Sequence, residues 1–208
     1  MKWDERYRTG TYPTDPEPSP VLRSYLDELP EGRALDVAAG NGRNTLFLAE
    51  NGYRVDALDQ SGEGLSIVEE RARSRGFADR VETIQADATT YDFSESTYDL
   101  VTISYFRTLD RLADIKASLK PGGVLFYQHH LRADPPATVG PSTDRYRFDS
   151  NELLRACLDL TVLYYDESTE LRDDRRSATA TIIARNTRGG AQSYPRRGVN
   201  ESIPINLS

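Results

Sequence analysis

The chain has 208 residues, 38% hydrophobic and 28% charged, with a formal net charge of -7. That length suits one well-buried domain and is short for two, and the acidic balance disfavours a nucleic-acid partner, whose phosphates need a concentrated basic surface. The single cysteine, Cys157, excludes an internal disulfide and a cysteine-cluster metal site, so no metal is expected.

No apolar run follows the opening Lys2-Trp3-Asp4-Glu5-Arg6, and none elsewhere is long enough to span a bilayer, so a cytoplasmic protein with no membrane partner is expected. Residues 1–20 are polar, aromatic and rich in proline, which rules out a regular helix beyond the first few positions. Composition alone fits a disordered leader. Yet Trp3, Tyr7 and Tyr12 are large faces that a solvated tail does not need, and the alternative is a flap that orders over a ligand. From Ser19, a cap before Pro20 at the first helical position, Val21, Leu22, Tyr25, Leu26 and Leu29 recur at helical spacing until Pro30 and Gly32 stop them.

Ala34 to Val37 reads as a short buried strand that ends in the turn Gly40-Asn41-Gly42 and runs into a helix from Arg43 to Glu50. The glycines lack a Cβ, so the backbone can turn sharply and a ligand can come close. The following helix start aims its free N–H groups at whatever sits there. A second strand, Tyr53 to Leu58, ends in Asp59, nineteen residues after Gly40. A Rossmann-like unit holds a ribose diol with an acid about 20 residues on, so these residues point to a nucleoside-containing cofactor.

Ser61 then caps a helix through Leu65, Ile67, Val68 and Ala72 to Gly76. A third strand, Arg80 to Ala86, leaves through Asp87-Ala88-Thr89. A fourth, Tyr98 to Ser104, meets the Tyr105-Phe106-Arg107 corner and a helix through Leu112, Ile115 and Leu119. Lys120-Pro121-Gly122-Gly123 is a turn, and Val124 to Gln128 an apolar fifth strand. His129 to Phe148 is a long connection of the kind that is functional or mobile. Asp149 or Ser150 caps a helix with Leu153, Leu154 and Leu158, where Cys157 falls on the apolar stripe. Thr161 to Tyr165 and Arg176 to Ala184 form a closing antiparallel hairpin that turns at Asp173-Asp174, and residues 185–208 read as a poorly ordered extension. Strands alternating with helices imply an α/β, Rossmann-like doubly wound sheet, mostly parallel with an antiparallel last strand.

Two cofactor classes use a glycine turn with a distant acid. The dinucleotide fingerprint G-x-G-x-x-G fails at Thr45, and Asp36 inside the first strand would oppose a pyrophosphate. S-adenosylmethionine (SAM) carries an ammonium and no phosphate, which suits an acid beside the turn. The turn residues Ala38, Gly40 and Gly42 would hold it, with Asp59 on the ribose hydroxyls and Gln60 against the adenine. Asp87 would accept from the adenine amine while the Ala88 N–H points at the ring. Asp36 either reaches the methionine amino group through water or steadies the turn. Ser104, at the carboxyl end of the fourth strand, sits where the methyl and its acceptor should meet. Arg43 opposes the helix dipole and either pairs with a loop acid or faces an anionic ligand. His129, His130, Arg145, Arg147 and Ser104 are the candidates for a direct role toward the acceptor. A dedicated base is needed only if that acceptor arrives protonated.

The pattern L-D-x-x-A-G-N-G-R-N from Leu35 to Asn44 resembles motif I of the class I SAM-dependent methyltransferases. Trp3-Asp4-Glu5-Arg6-Tyr7, residues 35–49 and residues 119–126 resemble the tellurite-resistance and thiopurine methyltransferase branch, over about residues 3–184. The resemblance implies a seven-stranded sheet, SAM as cofactor, and small soft nucleophiles such as metalloid oxyanions or thiols. It also implies that the N-terminal segment covers the cofactor, which brings Trp3 and Tyr7 into its site. The Arg145-Tyr146-Arg147 loop departs from the branch. The amino-methylating signature [ND]-P-P-[YFW] is replaced by Ser104-Tyr105-Phe106-Arg107. The expectation is an N-terminal flap over residues 1–20 and a methyltransferase domain over residues 21–184. It would methylate a small molecule, as a monomer or homodimer. A catalytically silent SAM-binding module is the alternative, and a nicotinamide oxidoreductase is disfavoured.

Overall fold

The computed structural model describes residues 2–10 and 16–187, so Tyr12 and the chain beyond Thr187 lie outside the described residues. Among the described residues thirteen α-helices and β-strands follow one another in chain order. They are α1 (Lys2–Arg8), α2 (Pro20–Ser24), β1 (Arg33–Val37), α3 (Arg43–Glu50), β2 (Arg54–Asp59), α4 (Gly62–Ser74) and β3 (Val81–Gln85). After them come β4 (Tyr98–Ser104), α5 (Leu112–Ala117), β5 (Leu119–His130), α6 (Glu152–Ala156), β6 (Thr161–Arg172) and β7 (Arg175–Arg185). The strands form one seven-stranded sheet in the order β3-β2-β1-β4-β5-β7-β6. β7 runs antiparallel to both of its neighbours, while the pairs from β3 to β5 are parallel.

Alternate strand residues enter two separate cores, as a sheet covered on both faces requires. Leu35, Val37, Val101, Ile103, Leu125 and Ile182 pack on one side with Leu112 and Ile115 of α5 and Leu153 of α6. Ala34, Val55, Leu100, Val124 and Ile183 pack on the other with Leu22, Leu46, Leu48, Leu65 and Val68 from α2, α3 and α4. Cys157 is fully buried in the first core, and burial pushes its thiol up to about 12, so it is no nucleophile.

Several local expectations are corrected. The leader carries a helix, α1, because its prolines begin only at residue 13. α1 is docked on α4: Asp4 accepts from the Ser61 hydroxyl (2.5 Å) and the Glu63 N–H (3.3 Å), and Arg8 pairs with Glu63 at 2.7 Å. The helix expected through Leu29 stops at Ser24 and continues only as a 3₁₀ turn over Leu26–Glu28, and Ser19 makes no side-chain cap bond. Leu119 belongs to β5 and not to α5, because β5 starts opposite Tyr98 before the glycine turn, with a register shift before Leu100. The cap of α6 is Asn151 at φ 58°, not Asp149 or Ser150, and Leu158 is 64% exposed beyond the helix. β6 and β7 run longer than expected, and Asp173 and Asp174 at φ 48° and 59° make the two-residue turn that matches strand twist.

Candidate functional site

The carboxyl ends of β1, β2 and β4 meet at the glycine turn. Ala38, Gly40 and Gly42 have φ of 57°, 58° and 87°. Asp59 clamps this turn to the next one: one oxygen accepts from the Gly40 N–H and the other from the Ser61 N–H, both at 2.8 Å. Burial raises its pKa while these N–H groups pull the other way. The Gln60 N–H adds to that pull. Asp36 is fully occupied by the protein. It accepts from the Thr45 N–H (3.0 Å) and hydroxyl (2.7 Å) and from the Thr102 hydroxyl (2.7 Å), so of its two expected roles the contacts are those of a turn support.

Asp87 and Ala88 follow β3 on the same edge, since Gln85 pairs with Asp59 in register and the Ala86 N–H bonds to the Asp59 carbonyl at 3.0 Å. Asp87 is exposed and accepts from the Thr89 N–H and hydroxyl, which hold its carboxyl below the usual range. Gln60 is exposed beside Asp59. Tyr7 reaches the glycine turn from α1: a Cβ on Gly40 would lie 2.5 Å from its hydroxyl oxygen. Trp3 is 40% exposed, with the Arg6 guanidinium 4.9 Å from its ring centre.

Asn44, in the first turn of α3, was not singled out as a site residue from the sequence, although it stands in the quoted motif. It is buried, its amide nitrogen donates to the Ser104 hydroxyl at 2.9 Å, and its amide oxygen has no partner among the described residues. The only signal was a polar residue on the buried face of an amphipathic helix.

The second half of the edge is built around Tyr105. Its φ of 59° is a left-handed conformation that a bulky residue adopts only when its surroundings impose it. They do. The Tyr105 N–H bonds to the Gln128 carbonyl (2.9 Å), the Tyr127 hydroxyl donates to the Phe106 carbonyl (2.7 Å) and accepts from the Thr108 N–H (3.0 Å), and Arg107 pairs with Glu152 (2.6 Å). The ring is thereby turned out to 40% exposure, 4.7 Å from the His130 ring and 5.4 Å from the Arg43 guanidinium. Arg43 also donates to the Glu17 carbonyl, so it meets a backbone oxygen of the leader and not a loop carboxylate.

His129 and His130 end β5 with their rings 5.6 Å apart, and burial above all lowers both to about 4. His129 is buried, with Nε2 2.7 Å from the Tyr146 carbonyl, which makes it a packing residue. Arg147 is buried as well, and its guanidinium donates to the carbonyls of Val139 (2.9 Å) and Pro141 (2.8 Å), so it holds the 131–148 loop together. Arg145 lies on the surface against Tyr146. Among the described residues no group of three or more His, Cys, Asp or Glu could hold a metal ion, and no helix is long and apolar enough to cross a membrane.

Comparison with known proteins gives a consistent picture. Residues 34–123, from β1 into β5, match the methyltransferase domain family model. The chain is 28% identical over 156 residues to Hemagglutinin 1 of Eikenella corrodens, covering 73% of this chain and 51% of that protein. It is 40% identical over 99 residues to demethylmenaquinone methyltransferase of Clavibacter sepedonicus, covering 44% and 38%. The chain thus spans about half or less of the length of these curated relatives. Its fold matches the crystal structure of TehB from Haemophilus influenzae with a TM-score of 0.72 at 20% identity, over 89% of this chain and 67% of that one. The glycine cradle and the clamped acid of β2 fit an amino-acid-bearing nucleoside, and with the match of residues 34–123 to the methyltransferase domain family model they point to SAM as the cofactor.

Proposed function

We propose that the chain is a SAM-dependent methyltransferase that alkylates a small-molecule nucleophile by in-line displacement, in the tellurite-resistance and thiopurine branch its motifs resemble. The observation that carries this reading is the convergence of Gly40, Asp59 and Tyr7 on one edge of the sheet. SAM supplies the electrophilic methyl group on a sulfonium. The chain itself positions the reactants and excludes water, which can lower a barrier by roughly 7–11 kcal/mol. α1 with Tyr7 covers the cofactor side, and the corner at Tyr105 with the 131–148 loop borders the acceptor side. The name of the demethylmenaquinone relative supports a small acceptor. A soft anion fits best, since it attacks in its ionised form and needs no base from the chain. Residues 1–20 as a flap, residues 21–184 as the catalytic unit and action in the cytoplasm belong to the same proposal.

The test is calorimetric titration with SAM followed by mass-spectrometric detection of methylated products from a panel of soft anions, thiols and phenols. Binding with transfer to at least one member is the expected result. Binding without any transfer would identify a silent SAM-binding module, and no binding would overturn the reading.

A further inference from the structure

Of the two ring nitrogens of His130, at the carboxyl end of β5, only Nε2 is open. Nδ1 is buried without a partner among the described residues, and the 131–148 loop packs on that side so tightly that a Cβ on Gly140 would lie 2.6 Å from it. The Tyr105 ring lies against the imidazole with 4.7 Å between centres and a tilt of 35°, and the His129 ring meets it edge-on at 5.6 Å. Nε2 has no partner within the described chain either, yet it is not buried. A hydrogen on Nδ1 would be a buried donor with no acceptor, and orphaned buried N–H groups are rare, so the hydrogen is assigned to Nε2. Burial, His129 and Arg147 keep the ring uncharged at neutral pH. The ring therefore presents one N–H outward, while its single lone pair is sealed against the loop. The Arg43 guanidinium, 5.4 Å from the centre of the same Tyr105 ring and with no carboxylate partner among the described residues, adds positive charge to this side.

Resting on the methyltransferase reading above, we infer that the His130 Nε2–H binds the methyl acceptor as a hydrogen-bond donor and selects one that arrives as an anion. Tyr105 and Gly140 are the positioning residues that hold the imidazole between them. In the displacement a lone pair of the anion forms the new bond to the methyl carbon, and the carbon–sulfur bond breaks with its electron pair staying on sulfur. No proton has to leave the site. A hydroxyl that must first give up its proton finds no open lone pair on this ring to take it.

Long-range proton–nitrogen correlation spectra of the whole chain, with its two histidines isotope-labelled, test this directly, and His130→Gln assigns the signals. His130 should carry its hydrogen on Nε2. In the presence of saturating S-adenosylhomocysteine, benzenethiol at mildly alkaline pH, where it is largely the thiolate, or sulfite should move the His130 Nε2 signal and leave those of His129 in place. Phenol, neutral under the same conditions, should move neither. His130→Phe should weaken benzenethiolate binding by about tenfold or more, the size of one hydrogen bond to a charged group, with the affinity for S-adenosylhomocysteine unchanged. Gly140→Ala, which pushes the ring aside without removing its nitrogen, should weaken the same anion in the same way, and it keeps the test open should His130→Phe not fold. A hydrogen on Nδ1, silence of Nε2 toward both anions, an equal response to phenol, or undiminished anion binding in a folded variant would each overturn the inference. In all these cases S-adenosylhomocysteine still binds, which separates them from failure of the methyltransferase reading, where the wild type does not bind it.

Discussion

The Tyr7 hydroxyl of α1 stands over Gly40 in the space that glycine leaves by lacking a side chain, so close that a Cβ there would lie 2.5 Å from the oxygen. Gly40 also has φ 58°, where an L side chain costs about 1–2 kcal/mol. Gly40→Ala should therefore carry two penalties, one from the backbone and one from displacing Tyr7. In a Tyr7→Ala background only the first remains. Urea unfolding of the four proteins should give a coupling of at least about 0.5 kcal/mol, as expected for residues in contact. Additive effects would mean that α1 does not hold this position in solution.

Tyr105 offers a test of strain against packing. Its left-handed backbone costs about 1–3 kcal/mol. Glycine would remove that strain but add about 0.5–1 kcal/mol of chain entropy, and the loss of the Arg43 contact forfeits about 0.5–1 kcal/mol more. The terms nearly cancel, so Tyr105→Gly should leave the midpoint of thermal unfolding within a few degrees of wild type. Methyl transfer should nevertheless fall about tenfold or more, because positioning is what the corner supplies. A variant as active as wild type would place Tyr105 outside the acceptor site.

What could be read from the chain beforehand follows from how local each signal is. Ser61 caps α4 as expected, with its hydroxyl 3.1 Å from the Gly64 N–H, and β4 spans Tyr98–Ser104 as expected, because cap chemistry and a run of β-formers are written in a few adjacent residues. The sheet with its antiparallel β7 was legible from the alternation of strands and helices. The start of β5 at Leu119 was not, since pairing with Tyr98 overrides the turn chemistry of Lys120 to Gly123. Within the site, Gly40 and Asp59 were legible by spacing. The engagement of Asp36 with Thr102, the burial of Arg147 and the outward turn of Tyr105 depend on residues 66, 8 and 23 positions away, which no local pattern reports.

The two arginines of the 131–148 loop should separate cleanly. Arg147 is buried and its guanidinium satisfies backbone carbonyls, which would be left unpaired in Arg147→Ala. Hydrogen bonds to a charged group are worth about 1.5–3 kcal/mol, and a loss of about 2–3 kcal/mol is expected. Arg145→Ala removes only an exposed contact with Tyr146 and should cost less than about 1 kcal/mol. Chemical denaturation gives both values, and limited proteolysis should cut the loop faster in Arg147→Ala alone. Equal behaviour of the two variants would contradict the buried placement of Arg147.

The histidine pair predicts how stability responds to acid. His129 must donate from Nε2 to the Tyr146 carbonyl, which leaves Nδ1 unprotonated, buried and without a partner among the described residues. Protonating that atom would bury an unpaired cation near Arg107 and Arg147, and burial with these charges lowers the pKa from 6.5 to about 4. His130 is lowered to about 4 by burial, its neighbour His129 and Arg147. Between these values the unfolded chain binds more protons than the folded one, so stability rises with pH across the window and is lost as pH falls from about 6.5 to 4. A shift of that size corresponds to about 3 kcal/mol for one group. His130→Gln, neutral throughout, should match or trail the wild type at pH 7 and lose about 2–3 kcal/mol less on acidification to pH 4. Denaturant unfolding at intervals across that range checks it, and parallel curves for the two proteins would show that His130 titrates normally in the folded state.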